Sequence, residues 1–392
     1  MKAKFILIIV CIHFQIFSQN VNFDSGTIQA QKYFEEISYE LVNGKIILPV
    51  IINGKTYRFI LDTGAPNIIS KKILEELNIK QLNSINVSDA NNLTESMQSV
   101  EIPNLKIGNL TFENQIALVY DFDNHNLLSC YKIDGFIGSN LLRNSSIKIS
   151  KTDQKIFITD NVKNLNPKKK PSKIKLFGTQ KAPHVEFNFV GKNKKKATDM
   201  VLIDTGMEGG YDMSNRAFNI FEKYKIFETI AKTTGVNSGG LFGFGKPNEH
   251  RLLQVETAKL NGIFIKNIII ETTSDNNSRI GLELLNYGDL ILDFKKKNVY
   301  FEINDSVTLE NKIPRYNAAI LDNKYVIGMV WDENLAKQIS YGDEIISIDS
   351  KKVSEISFCD ILNLKNEIKN KNNYLLEIKN KENEIITINI QN

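Results

Sequence analysis

Arg58-Phe-Ile-Leu-Asp62-Thr-Gly-Ala-Pro-Asn-Ile68 and Met200-Val-Leu-Ile-Asp204-Thr-Gly-Met-Glu-Gly-Gly210 decide the fold. In each, an apolar, strand-like run delivers one carboxylate into Thr-Gly, a side chain that can hydrogen-bond sideways followed by a residue that permits an unusual turn. One D-T-G alone is a weak signal, because a strand running into a β-turn uses the same residue types. Here it recurs, and each copy is followed at nearly the same spacing by a second matching block: Ile137-Gly138 after Asp62 and Ile280-Gly281 after Asp204. From those glycines the copies run without a gap. Gly-x-x-Leu-Leu occupies 138–142 and 281–285, Ile147 and Ile149 match Leu290 and Leu292, and Ile156-Phe157 matches Val299-Tyr300. Repetition at this length predicts two lobes built on one plan.

Composition narrows the chemistry. The chain has 392 residues, 42% of them apolar, enough for two or three domains with real cores. A net charge of +4 is small against 49 basic and 45 acidic residues. Lysines gather at 168–181 and 192–196 among Pro and Asn rather than aromatics, which suits solvated loops and gives no sign of nucleic-acid binding. Residues 1–18 read as an export signal, with Lys2 and Lys4 ahead of an apolar run and Ser18 at the cleavage point. The run is too short to span a bilayer comfortably, and Val10 before Cys11 does not suit lipidation. Cys130 and Cys359, far apart in sequence, are expected to be buried thiols in separate domains rather than a bridge. His13, His125, His184 and His250 have no chelating spacing, no phosphate-cradling glycine loop precedes a helix, and no Gly-x-Ser-x-Gly elbow occurs. Metal, nucleotide and serine chemistry are therefore unsupported, and no cofactor is expected.

Along the chain, a short helix is expected at 30–36, followed by strands broken at Asn43-Gly44 and Asn53-Gly54, the turn dipeptides that favour hairpins. Helical spacing appears at 71–77 and 216–223, between strands at 99–105, 111–120, 146–159, 184–190, 196–203, 252–260, 263–272 and 290–301. The prediction is mostly β: lobe 1 over 19–163, an exposed connector over 164–181 and lobe 2 over 182–303.

The segment from Ile37 through Phe59-Ile-Leu-Asp62-Thr-Gly-Ala65, with Ile133-Asp-Gly-Phe-Ile-Gly-Ser-Asn-Leu-Leu142, resembles the bacterial retropepsin-like aspartyl proteases over roughly residues 37–303. The resemblance implies two pepsin- or retropepsin-like β-barrel lobes, each supplying one aspartate. It makes Asp62 and Asp204 the catalytic pair, with Thr63, Gly64, Ala65, Thr205, Gly206 and Met207 supporting their loops. Ile137, Gly138, Ile280 and Gly281 would pack beneath. Met207 stands where a small residue such as Ala65 is usual. Peptide hydrolysis needs one carboxylate to take a proton from water while an acid protonates the carbonyl oxygen. Two close carboxylates sharing one proton supply both, as in the aspartic proteases that are the standard example of this effect. A covering hairpin is expected at 234–245, with Gly239, Gly240, Phe242 and Phe244, or at 88–98, which is polar and lacks glycine.

Beyond residue 302 the pattern changes. Tyr341-Gly-Asp-Glu-Ile-Ile-Ser-Ile-Asp-Ser350 resembles the Gly-Asp-x-Ile block of PDZ domains, implying a small α+β domain at 314–392 that binds an extended peptide, with its carboxylate-binding loop near 316–321. The expectation is an exported monomeric aspartic endopeptidase, periplasmic or extracellular, acting on peptide or protein substrates, with no stable membrane span. The alternatives are an inactive peptide-binding or cell-envelope interaction protein on the same fold, a highly specific processing enzyme, and a homodimer pairing D-T-G loops between chains.

Overall fold

Asn-Gly turns set the first strands. In the computed structural model, which describes residues 21–124, 127–192, 194–236, 239–309, 313–369 and 371–391, Asn43-Gly44 and Asn53-Gly54 all have positive φ. They join Glu40–Val42, Lys45–Ile52 and Lys55–Asp62 as successive hairpins. The export segment 1–18 and His125 lie outside the described residues.

The first half forms a nine-stranded sheet in which Leu110–Tyr120 pairs with Ile68–Ser70 on one side and Thr94–Ile107 on the other. That second pairing closes the sheet on itself. Apart from the small Gly239–Gly240 and Gly243–Phe244 hairpin, the strands of the second half belong to a sixteen-stranded sheet that also recruits Ser146–Ser150, Lys155–Thr159 and Phe34–Ser38 from the first. The halves join where Ser146–Ser150 pairs antiparallel with Gly288–Asp293, setting Ile147 opposite Leu292 and Ile149 opposite Leu290. These are the residues that match between the repeats, now facing each other crosswise, as a two-fold relation between the halves requires. One apolar cluster, including Leu61, Ile137, Ile147, Ile203, Ile280 and Leu292, runs through both halves. The fold is mostly β. Equivalent helices follow the two aspartate loops, Lys71–Leu77 capped by Ser70 and Asn215–Glu222 capped by Ser214.

Two local expectations are corrected. Residues 30–36 are not helical: Phe34–Ser38 is a strand paired with Lys155–Thr159, burying Ile37 while its neighbours face solvent. Within the stretch expected as a connector, Ser172–Phe177 is a strand between Ala182–Val190 and Asn298–Ile303. Its lysines 173 and 175 alternate with buried Ile174, so they mark the wet face of a strand.

The C-terminal segment has its own apolar core and a sheet in the order Tyr316–Leu321, Lys324–Val330, Glu344–Ile348, Asn373–Lys379, Ile385–Gln391, with helix Asp360–Lys369. Residues 316–321, expected as a carboxylate-binding loop, are a strand, and the turn to the next strand is only Asp322-Asn323, both at positive φ. Cys130 and Cys359 form a disulfide, correcting the expectation of two buried thiols. Their separation of 229 residues concealed the fact that the short 3-10 turn Leu128–Tyr131 carries Cys130 to a Cα–Cα distance of 5.1 Å from Cys359, inside the bridging range. The C-terminal segment is also tied to the second half, by Val236 N–H donating to Gly328 O at 3.0 Å and by Met329 and Trp331 packing with Leu252.

Candidate active site

Strand Lys55–Asp62 lies between Lys45–Ile52 and the parallel strand Gly135–Gly138, which brings Gly138 level with Asp62. In the second half Arg279–Ile280 runs parallel beside Lys196–Ile203, and Asp204 N–H donates to Ile280 O at 2.9 Å. Pairing on both sides fixes the register of the first strand, so its terminal carboxylate is delivered level with Gly138. The glycines of the underlying blocks permit this closeness. A Cβ on Gly138 would collide with the backbone of Ala65 and Pro66, and one on Gly281 with that of Gly209 and Met207.

The two loops grip each other. Thr63 N–H donates to Thr205 Oγ1 at 3.0 Å, and Thr205 N–H donates to Thr63 Oγ1 at 3.1 Å. Each hydroxyl then donates across the interface, Thr63 to Ile203 O and Thr205 to Leu61 O. Both threonines are buried. Gly64 and Gly206 each face the opposite aspartate: a Cβ on Gly206 would lie 2.5 Å from Asp62 Oδ2, and one on Gly64 3.2 Å from Asp204. Asp62 Oδ1 accepts from Gly64 N–H at 2.8 Å and Ala65 N–H at 3.1 Å. Asp204 Oδ1 accepts from Gly206 N–H at 2.8 Å, while Met207 N–H turns to the Asp204 carbonyl at 3.2 Å.

Burial, with the Asp204 carboxylate adding to it, raises the Asp62 carboxyl to about 7 against the opposing pull of the Gly64 and Ala65 amides and Lys45. Lys45 donates to Gly206 O and lies 3.8 Å from Glu208. Arg279 Nη1 lies 3.6 Å from Asp204 Oδ2 and its Nε 3.4 Å from Asp275 Oδ2. Burial opposes the Arg279 charge, yet Asp204, Asp275, Asp212 and Asp62 outweigh it and raise its pKa. Burial also raises Asp212, to about 6, with Arg279 opposing. Sequence reasoning missed Lys45, Asp212, Asp275 and Arg279. A signal was present for Arg279: a cation occupies the position before Ile280-Gly281 that Phe136 holds before Ile137-Gly138.

The two expected covering segments meet. The hairpin of Lys80–Ser88 and Thr94–Ile107 turns at Asp89, which accepts from Phe242 N–H at 3.0 Å, while Asn91 Nδ2 donates to Gly243 O at 2.9 Å. Gly239–Gly240 pairs with Gly243–Phe244 as a short hairpin whose Leu241 and Phe242 pack on first-half apolar residues, with Tyr120 donating to Leu241 O at 2.7 Å. Phe244 turns away onto the C-terminal core. No group of His, Cys, Asp or Glu that could hold a metal occurs among the described residues, nor is any helix there long and apolar enough to cross a membrane.

No curated protein sequence matches the chain. Among solved structures it is similar to a retropepsin-like aspartic protease from Rickettsia conorii, at 16% identity over 34% of this chain and 94% of that one, with a TM-score of 0.24. It is also similar to Basic 7S globulin from soybean, at 12% identity over 69% of this chain and 94% of that one, TM-score 0.41. Conglutin gamma from lupine seeds is similar at 11% identity over 70% of this chain and 95% of that one, TM-score 0.39. Residues 48–141, which carry the first aspartate loop and the Ile137-Gly138 block beneath it, match the aspartyl protease family.

Proposed function

We propose that the chain is an exported aspartic endopeptidase in which Asp62 and Asp204 activate one water for attack on a peptide carbonyl. The observation that carries this reading is the reciprocal Thr63–Thr205 bonding, which locks the two D-T-G loops so that each glycine faces the other loop's carboxylate. Both aspartates reside in one chain, which favours a monomer over paired copies. The pair holds one shared proton, so it contains a base and an acid together. The base takes a proton from water, and the acid donates one to the carbonyl oxygen as it gains charge. Peptide substrate would lie beneath the meeting hairpin tips at Asp89 and Phe242, which must part to admit it.

The C-terminal segment, read as PDZ-like, restrains the glycine-rich loop through Val236 and Phe244, or recruits peptide by strand addition. The Cys130–Cys359 bridge suits an oxidising compartment, periplasmic or extracellular. A second reading, a peptide-binding protein without activity, is favoured by Met207, which leaves Asp204 with one amide donor in its loop where Asp62 has two.

Cleavage of a diverse peptide pool across about pH 3 to 8 by the chain lacking residues 1–18, beside Asp62→Asn and Asp204→Asn, tests the proposal. Cutting that either substitution abolishes without unfolding the protein supports it. Failure to cut at any pH, or equal cutting without either aspartate, refutes it.

A further inference from the structure

The halves differ at one buried cross-strand pair beside the aspartates. In the first half Ile68 stands opposite Phe136. At the corresponding place in the second, reached by the same strands after the same loop, Asp212 stands opposite Arg279. Phe136 is level with Ile60 and Arg279 with Leu202, each two residues before its aspartate. An apolar pair on one side has thus become an oppositely charged pair on the other, and the guanidinium lies 3.6 Å from Asp204 Oδ2 and 3.4 Å from Asp275 Oδ2.

We propose that Arg279 is a positioning residue that keeps the negative charge of the aspartate pair on Asp204 and so leaves the shared proton on Asp62, with Asp275 aiming its guanidinium. This rests on the protease reading and deepens it by assigning the two roles. Asp204 takes the proton of the attacking water as the new C–O bond forms. The carbonyl π pair moves onto its oxygen, which takes the proton from Asp62, giving a neutral diol. The groups facing the guanidinium are Asp204, Asp275, Asp212 and Asp62. Asp89 acts on Asp275, and Glu283 on Asp212. Lys45, the other cation, acts on Asp62 and is balanced by Glu208. Arg279 is mostly buried, and its Nε, 3.4 Å from Asp275 Oδ2, makes no hydrogen bond of normal geometry.

The test uses Arg279→Lys, Arg279→Met and the double variant Asp212→Ile with Arg279→Phe, which copies the first-half pair and removes Asp212 together with the guanidinium opposite it. The pH profile of kcat/KM is read for each, together with the carboxyl 13C titration of Asp62 and Asp204. Loss of a facing cation should move the acidic limb up by about one unit or more in Arg279→Met and in the double variant, and by much less in Arg279→Lys. An unshifted limb in a folded double variant overturns the proposal. If the wild type cuts nothing, the protease reading fails, and the titration alone decides this inference. Protonation appearing first at Asp62 in the wild-type chain, and moving toward Asp204 in the double variant, upholds it. Protonation first at Asp204 in the wild type, or identical curves in both proteins, overturns it, and the wild-type arm stands even where a variant fails to fold.

Discussion

Replacing Thr63 by Val keeps shape and volume but removes one hydroxyl. In the structure that hydroxyl accepts from Thr205 N–H and donates to Ile203 O, so the substitution leaves one buried donor and one buried acceptor without their partner. Each orphaned group costs about 1–3 kcal/mol, which puts Thr63→Val at about 4 kcal/mol. Thr205→Val orphans a different set, Thr63 N–H and Leu61 O, at a similar cost. The two residues belong to one reciprocal network, so their losses are coupled, and a double-mutant cycle reads that coupling. The double variant should lose at least as much as either single one, about 4 kcal/mol or more, a large fraction of the stability of a typical domain. Urea unfolding followed by near-ultraviolet circular dichroism gives these values directly, and Thr63→Ser, which keeps the hydroxyl, should recover most of the loss. A cost below about 1 kcal/mol for both single variants would refute the reasoning, since it would mean that the hydroxyls are met by water rather than by each other.

Three further outcomes follow from the same geometry. Asp62 has its folded pKa raised to about 7 from an ordinary 3.8, so the native state holds that proton more tightly than the unfolded chain does. Its stabilising contribution is complete below about pH 4 and is lost as pH rises to about 7. Asp62→Asn should therefore gain about 2–4 kcal/mol on the wild type between pH 4 and pH 8 in thermal unfolding, and parallel curves would contradict this. Gly206→Ala places a methyl 2.5 Å from Asp62 Oδ2, against 3.2 Å from the nearest Asp204 carboxyl atoms for Gly64→Ala. If the chain cuts peptides, the first should lower kcat/KM by about a hundredfold and more than the second, and the reverse order would count against the site. Cys359→Ser should cost about 2–5 kcal/mol in urea unfolding, and an intact-mass measurement of the wild type showing two free thiols would remove the bridge altogether.

The paired D-T-G and apolar-Gly blocks made the aspartate loops legible, because an internal repeat reports a shared backbone plan whatever its neighbours do. What lay outside the repeat was harder to read. Residues 30–36 look helical in isolation, yet their end joins the strand Phe34–Ser38 because Lys155–Thr159 offers it an edge. The lysines at 173 and 175 suggested a linker, since the chain alone does not show that Asn298–Ile303 lies alongside. Cys130 and Cys359 meet through a contact between units that no local pattern encodes. Arg279 was readable in principle as a charge inside an apolar block, but its meaning depends on Asp212 and Asp275, which only the folded strands bring to it.

Symmetry made the two aspartate loops legible, and departure from symmetry carries the proposed division of roles between them. The threonine grip is the same from either side, so it cannot by itself distinguish base from acid. Hydrolysis needs that distinction at every turnover, because a pair equally ready to hold its proton on either carboxylate spends part of its population in the wrong arrangement for a given substrate pose. A cation placed on one side biases the pair without touching the grip. Arg279 is such a cation, held where the equivalent residue of the other half is Phe136, and the carboxylates around it preserve its charge against the cost of burial. A fold assembled from two similar halves thus needs only one exchanged cross-strand pair, Asp212–Arg279 for Ile68–Phe136, to make its two aspartates unequal.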